Sequence, residues 1–174
     1  REMGDYAQKN GVKIGVENAG GSCADYARLV KSVEHPAIGA TIDVGHCAYF
    51  EEVSSISDMD ERVKKLNQLI CQLVRDLGQK VYHFHVHNVQ RYDRVDFSRI
   101  PHPYWKPGSL VDHRCVPEGE IDFPRLFAEL EKVGYRGLFE LELEEPEREA
   151  KAVESAEFLE QSACIRAIRI FSAC

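Results

Sequence analysis

The chain has 174 residues, 44% of them hydrophobic and 29% charged, enough apolar material for the core of one domain and too much for a disordered or low-complexity segment. Lys and Arg number 22 against 29 Asp and Glu, a formal charge of −7, so the basic surplus that grips phosphates is missing and no nucleic-acid partner is expected. Apolar runs are strand-sized, well short of the ~20 residues that cross a bilayer, so no membrane partner is expected either.

Residues 1–10 read as the end of a helix closed by Gly11. Residues 12–17 alternate apolar with polar or small side chains and run into the turn Ala19-Gly20-Gly21, the pattern of a strand. From Ser22, Tyr26, Leu29, Val30 and Val33 recur at helical spacing until Pro36. Residues 38–43 form a buried strand. A long amphipathic helix follows over 58–77, with Leu66, Leu69, Ile70 and Leu73 on its apolar face and Gly78 at its end. Residues 81–87 are a strand, and the stretch to about 111 has little periodicity before a short strand expected near 111–116. Asp122 caps the next helix, with Pro124 in its first turn, as far as Gly134. A strand over 137–143 and a closing helix from 147 to about 171 complete the chain. Strands separated by helices of ten residues or more require right-handed crossovers and a parallel sheet. The expected fold class is therefore α/β, with residues 1–174 as a single domain.

Cys23, Cys47, Cys71, Cys115, Cys164 and Cys174 form no C-x-x-C pair, and a core of this size needs no disulfide frame. They are expected to be reduced and mostly buried, Cys174 being the most exposed, in a cytoplasmic protein. No basic-then-apolar signal segment follows Arg1.

The polar residues fall at one end of these strands. The first ends in Glu17 and the second in Asp43, with His46 just beyond. The third carries His83, His85 and His87, and the last carries Glu140 and Glu142. In barrels of alternating strands and helices the reactive groups sit at the C-terminal strand ends, so these positions define one polar ring. Burying several carboxylates together costs many kcal/mol unless a cation neutralises them. Asp, Glu and His without cysteine suit one divalent metal, Mn²⁺, Co²⁺, Mg²⁺ or Zn²⁺. The period of two puts the three histidines on one face, as it does Glu140 and Glu142, and does not choose within either set. Each feature alone has a plainer reading: a surface glutamate, an Asp-Gly turn, an exposed strand face. Their coincidence at equivalent strand ends favours a metal site.

In this order the residues resemble the xylose-isomerase-like TIM barrels, a group that includes sugar phosphate isomerases and epimerases, ketose 3-epimerases, inosose dehydratases and endonuclease-IV-type nucleases. Gly15-Val16-Glu17-Asn18 before Gly20-Gly21 is similar to the group's fourth strand, and Ile42-Asp43-Val44-Gly45-His46 to its D-x-G-H fifth strand. His85-Val86-His87-Asn88 is similar to its H-x-x-D segment, with Asn88 in place of Asp. Residues 117–123 resemble its G-x-G-x-[IV]-D-[FW] segment, with Pro117 replacing the first glycine. Gly134-Tyr135-Arg136-Gly137 followed by Glu142 resembles its eighth strand.

The resemblance implies a partial TIM-type barrel lacking its first three strands. It implies metal ligands Glu17, Asp43, His85 and Glu142, with Glu17 and Glu142 also moving protons, and a substrate contact at His46 and at His113 or Arg114. Asn88 for Asp removes a charge near His85 and weakens it as a ligand. The implied activity is sugar isomerisation or epimerisation, proton transfer beside a carbonyl that the cation polarises, through an enediolate, on a small sugar or hydroxy-ketone. The alternatives are an inosose-type dehydratase, an endonuclease-IV-like zinc phosphodiesterase and a non-catalytic truncated relative. The long stretch 89–112 holds Tyr92, Phe97, Tyr104 and Trp105 among prolines. Aromatic faces stack on sugar carbons, so it is expected to be a lid that brings Trp105 onto substrate; an aromatic plug or a dimer contact is the other reading. A full barrel has about 250 residues. Five strands leave open edges, which fits a piece of a longer chain, a homo-oligomer or a truncated relative.

Overall fold

The computed structural model describes residues 1–100, 105–162 and the backbone of 169–172. Its principal elements are α1 (Glu2–Lys9), β1 (Ile14–Glu17), α2 (Cys23–Ser32), β2 (Ile38–Asp43), α3 (Glu51–Ser54), α4 (Met59–Leu77), β3 (Val81–Val86), β4 (Asn88–Arg91), β5 (Leu110–Arg114), α5 (Phe123–Lys132), β6 (Leu138–Leu141), α6 (Arg148–Ser162) and β7 (Arg169–Ser172). Local chemistry sets the helix ends. Side chains of Ser22, Asp58 and Asp122 accept from the amides of Asp25, Glu61 and Arg125, satisfying donors that the first turns of α2, α4 and α5 leave orphaned. Gly11, Gly78 and Gly134, with positive φ, follow α1, α4 and α5 where a side chain would be strained.

β1, β2, β3, β6 and β7 pair in that order, each pairing parallel. Alternation along the strands splits the sheet into two chemically distinct faces. Ile42, Phe84 and Phe139 point into an apolar layer shared with Leu66, Leu73 and Leu130 of α4 and α5, all 1% exposed or less. The other face takes the polar residues: Asp43, His85 and Glu140 stand in register across three strands, as do Thr41 and His83 across two. Tyr26 of α2 reaches across the first two strands, its hydroxyl lying 2.7 Å from the Val16 carbonyl and 2.9 Å from that of Thr41. Cys23, Cys47, Cys71 and Cys115 are buried free thiols, as expected; burial pushes Cys115 up to about 11. Cys164 and Cys174 lie outside the described residues. No helix among those described is long and apolar enough to cross a membrane.

Two expectations are corrected. The strand near 111–116 forms as β5, but it pairs antiparallel with β4 in a separate two-stranded sheet, and β3 pairs directly with β6. The closing helix does not reach residue 171: α6 is described over Arg148–Ser162, and Arg169–Ser172 adds as β7 along β6. A short apolar run has no intrinsic preference strong enough to resist the unpaired amides and carbonyls that the edge of β6 offers.

Removing the bridging hydroxyl in Tyr26→Phe is expected to lower stability by about 1 kcal/mol, a fall in Tm of roughly 2–4 °C in a thermal melt. An unchanged melt would mean that the hydroxyl does not tie α2 to the sheet.

Candidate metal centre

The backbone is held beyond the strand ends. The Val44 amide donates to the His85 carbonyl at 3.2 Å and the Glu142 amide to that of Val86 at 3.1 Å, each one step past the ladder. Buried Asn18 does the same with its side chain: Nδ2 donates to the Asp43 carbonyl at 3.0 Å and Oδ1 accepts from the Asp43 amide at 2.8 Å. Asn18 thus continues the pairing of β1 with β2, a role the sequence pattern around Glu17 did not disclose.

On this frame Glu17, Asp43, His85 and Glu142 converge. His85 Nδ1 lies 3.4 Å from Glu17 Oε1, 3.4 Å from Glu142 Oε2 and 4.0 Å from Asp43 Oδ2. It is buried and makes no hydrogen bond. Glu17, Asp43 and His85 each place a ligand atom within 4.8 Å of the others. An unpartnered imidazole nitrogen facing carboxylates from two sides is the donor set of a divalent cation, so these residues fit one. Burial pushes the Glu142 carboxyl above its ordinary range, with Asp43 adding to the rise and His85 opposing it.

Hydrogen bonding separates the three histidines that alternation could not. His83 Nε2 pairs with Glu140 at 3.3 Å, and burial with the neighbouring His85 keeps its ring biased to the neutral form. His87 is fully buried with both nitrogens engaged, Nε2 at 2.9 and 3.1 Å from Asp43 Oδ1 and Oδ2 and Nδ1 accepting the His113 amide at 2.8 Å. His85 alone of the three presents an unpartnered buried nitrogen.

His46 stands at the rim, 25% exposed, with Nδ1 3.3 Å from Glu17 Oε1 and 3.5 Å from Asp43 Oδ2, and Nε2 3.7 Å from Asp112 Oδ2. Asp112 and His113 come in on β5. The His113 ring stacks on His87 at 4.1 Å with planes 9° apart, its Nδ1 3.2 Å from Asp112 and its Nε2 4.0 Å from Glu142. Burial opposes the charged form of His113, but the Asp112 carboxylate outweighs it and the ring is pushed up. His46, Asp112 and His113 form another group able to hold an ion. Asp112 and Tyr49, which donates to it at 2.7 Å, had no signal in the sequence beyond their residue types.

The stretch expected as a lid is the β4–β5 hairpin and its connection. Phe97 lies against Tyr92 and Trp105, with ring centroids 4.5 and 6.2 Å apart, and Trp105 Nε1 donates to the Tyr49 hydroxyl at 3.3 Å. Tyr104 lies outside the described residues. Arg114 is buried. It is 1% exposed and its guanidinium donates to the carbonyls of Asp112 and Glu144, beside Glu145 and 5.7 Å from the Trp105 ring. It fastens β5 to the segment after β6.

Asn88 is buried as well. Its amide has no hydrogen bond to His85: Oδ1 accepts from Val89 and Ile121, each at 2.8 Å, and Nδ2 donates at 2.5 Å to the Val116 carbonyl. A Cβ at Gly119 would lie 2.1 Å from Asn88 Cγ, so the loop closes over the amide. This position needs a donor as well as an acceptor, which aspartate lacks.

A family model described as a xylose isomerase-like TIM barrel matches residues 1–162. Uncharacterized protein MJ1311 of Methanocaldococcus jannaschii is 25% identical over 148 residues, which are 81% of this chain and 40% of that protein. Among solved structures, a D-tagatose 3-epimerase-like protein superposes with a TM-score of 0.59 at 21% identity, over 92% of this chain and 50% of the other. The probable 3-DHS dehydratase AsbF of Bacillus anthracis, involved in petrobactin synthesis, superposes with a TM-score of 0.52 at 15% identity, over 94% and 54%. At these identities the structures share a fold, and the chain spans about half their length.

Asn88→Asp places a carboxylate against the Val116 carbonyl and is expected to destabilise the protein by about 1–3 kcal/mol, measured by urea unfolding. Equal midpoints would show that the Val116 bond is dispensable.

Proposed function

The chain belongs to the xylose isomerase-like TIM barrel family, and on that premise we propose that it moves a proton at the carbon beside a carbonyl of a small sugar or hydroxy-ketone, isomerising or epimerising it with one divalent cation. The observation that carries this reading is the buried, unpartnered His85 Nδ1 with Glu17 and Glu142 at 3.4 Å on either side. Glu17, Asp43, His85 and Glu142 would hold the ion, Mn²⁺, Co²⁺, Mg²⁺ or Zn²⁺. When bound, it polarises the substrate carbonyl and stabilises the negative charge that builds on its oxygen.

The chain's own groups do the rest. Glu17 comes from β1 and Glu142 from just past β6, on opposite sides of β3, and both stay partly open, 41% and 31% exposed. One carboxylate takes the proton from the substrate carbon and the other returns a proton on the opposite face. Glu17 and Glu142 are thus the catalytic pair. His46 at the rim orients a substrate oxygen, His113 stands beside Glu142, and the aromatic hairpin with Trp105 covers the sugar's apolar face. If a β-hydroxyl takes the second proton instead and leaves as water, the same first step gives a dehydration. The His46–Asp112–His113 group supports a second reading, a phosphodiesterase holding more than one zinc; the charge of −7 counts against a nucleic-acid substrate. Since the chain spans about half of its solved relatives, the activity of the whole protein is part of this proposal.

A cation at ~1,000 times its Kd adds roughly 4 kcal/mol, on the order of 10 °C in Tm. That shift is expected with one of the four ions and absent in Asp43→Ala; its absence in the unsubstituted protein would sink the cation reading. Bound zinc of two or three per chain, measured by atomic emission, would favour the second reading. With a ketose in D₂O, Glu142→Gln is expected to slow deuterium incorporation beside the carbonyl by at least about 100-fold; unchanged exchange would remove Glu142 from the chemistry.

A further inference from the structure

His87 is buried completely, the single residue between β3 and β4, and it lies outside the ligand set above. Its tautomer follows from bookkeeping of protons. Nδ1 has two neighbours, the His113 amide at 2.8 Å, which can only donate, and the Asn88 carbonyl at 3.3 Å, which can only accept; the shorter contact sets the tautomer, so Nδ1 carries a lone pair and the ring proton sits on Nε2. Nε2–H therefore donates to Asp43, 2.9 Å from Oδ1 and 3.1 Å from Oδ2. Oδ1 also accepts the His46 amide at 2.8 Å. With two donors on Oδ1, it is Oδ2 that is left toward His46 Nδ1 and His85 Nδ1, at 3.5 and 4.0 Å.

The ring is closely packed. His113 stacks on one face at 4.1 Å, and its left-handed backbone, φ 55°, turns its amide onto Nδ1. Gly45 also stands against the ring. Its φ of −75° is open to any residue, so backbone freedom does not explain the glycine. Space does: a Cβ at 45 would lie 2.1 Å from His87 Cε1 and 2.6 Å from Nδ1. The D-x-G-H segment thus leaves at its glycine the volume that the His87 ring fills.

Resting on the reading that Asp43 holds a cation, we propose that His87 is a positioning residue: a neutral Nε2–H donor, seated in the gap at Gly45, that locks the Asp43 carboxylate and decides which of its oxygens faces the ion. Hydrogen-bond partners of metal ligands commonly change affinity by 10–100-fold when removed.

The test is Co²⁺ titration of the purified protein, read by calorimetry and by the visible spectrum of the bound ion, with far-UV circular dichroism as the check on folding. His87→Phe fills the volume and stacks but cannot donate; it is expected to bind Co²⁺ 10–100-fold more weakly with a changed spectrum. His87→Gln keeps an N–H donor near the Nε2 position and is expected to recover most of the affinity. Gly45→Ala displaces the ring without removing any donor, and is expected to weaken binding in the same direction. A folded His87→Phe that binds like the unsubstituted protein overturns the proposal, as does equal loss in His87→Phe and His87→Gln. Should His87→Phe fail to fold, unchanged affinity in Gly45→Ala overturns it. If instead Asp43→Ala binds Co²⁺ undiminished, the cation reading itself is at fault.

Discussion

One buried charge organises the C-terminal end of this sheet. Asp43 has no exposed surface, and burial alone would drive its carboxyl toward the neutral acid; His87 and then His46 reverse that and hold it below the ordinary carboxylate range. An ionised group in such a place survives only where donors are fixed beforehand, since each unpaired charge in the interior is strongly destabilising. The fixing is distributed. The residue after β1, Asn18, grips the Asp43 backbone, the turn after β2 contributes the His46 amide, and the residue after β3 contributes the His87 ring. The hairpin enters through the His113 amide behind that ring. A carboxylate that draws on four segments also pins them to one another, so the site contributes to the fold that builds it.

The two faces of the sheet divide the work. Toward α4 and α5 the strands offer Ile42, Phe84 and Phe139, with Phe84 and Phe139 stacked 5.3 Å apart. That layer supplies the stabilisation that the opposite face cannot. There, Asp43, His85 and Glu140 stand side by side in register, and His83 pairs with Glu140 beneath them. β1 and β7 are the outer strands of the sheet among the described residues. The family relationship, with the match to about half the length of solved structures of the same fold, identifies this sheet as part of a barrel architecture.

The hairpin of β4 and β5 departs most from a bare strand–helix repeat. It stays out of the parallel sheet, yet it delivers Asp112 and His113 to the rim of the site and fastens itself with Arg114 on one side and Asn88 on the other. Its aromatic residues connect to the site through hydrogen bonds, Trp105 to Tyr49 and Tyr49 to Asp112, so the segment is coupled to the polar ring as well as packed near it.

Much of this was legible in the residues themselves. Helices of ten or more residues between short apolar strands impose parallel pairing, and strand alternation forces Glu17, Asp43, the histidines of β3 and Glu142 toward one face and one end. Those are consequences of backbone geometry, independent of what the chain later packs against. The choice among His83, His85 and His87 was different, because all three share that face. Only the positions of Glu140, 57 residues beyond His83, and of the His113 amide, 26 residues beyond His87, decide which ring is left with a free nitrogen. The partners of Arg114 and Asn88 were hidden for the same reason: they are set by carbonyls such as Val116 and Glu144, which carry no sequence signature. Local periodicity determines where a side chain points, whereas its hydrogen bonds depend on backbone brought close by tertiary packing, and that only the folded chain decides.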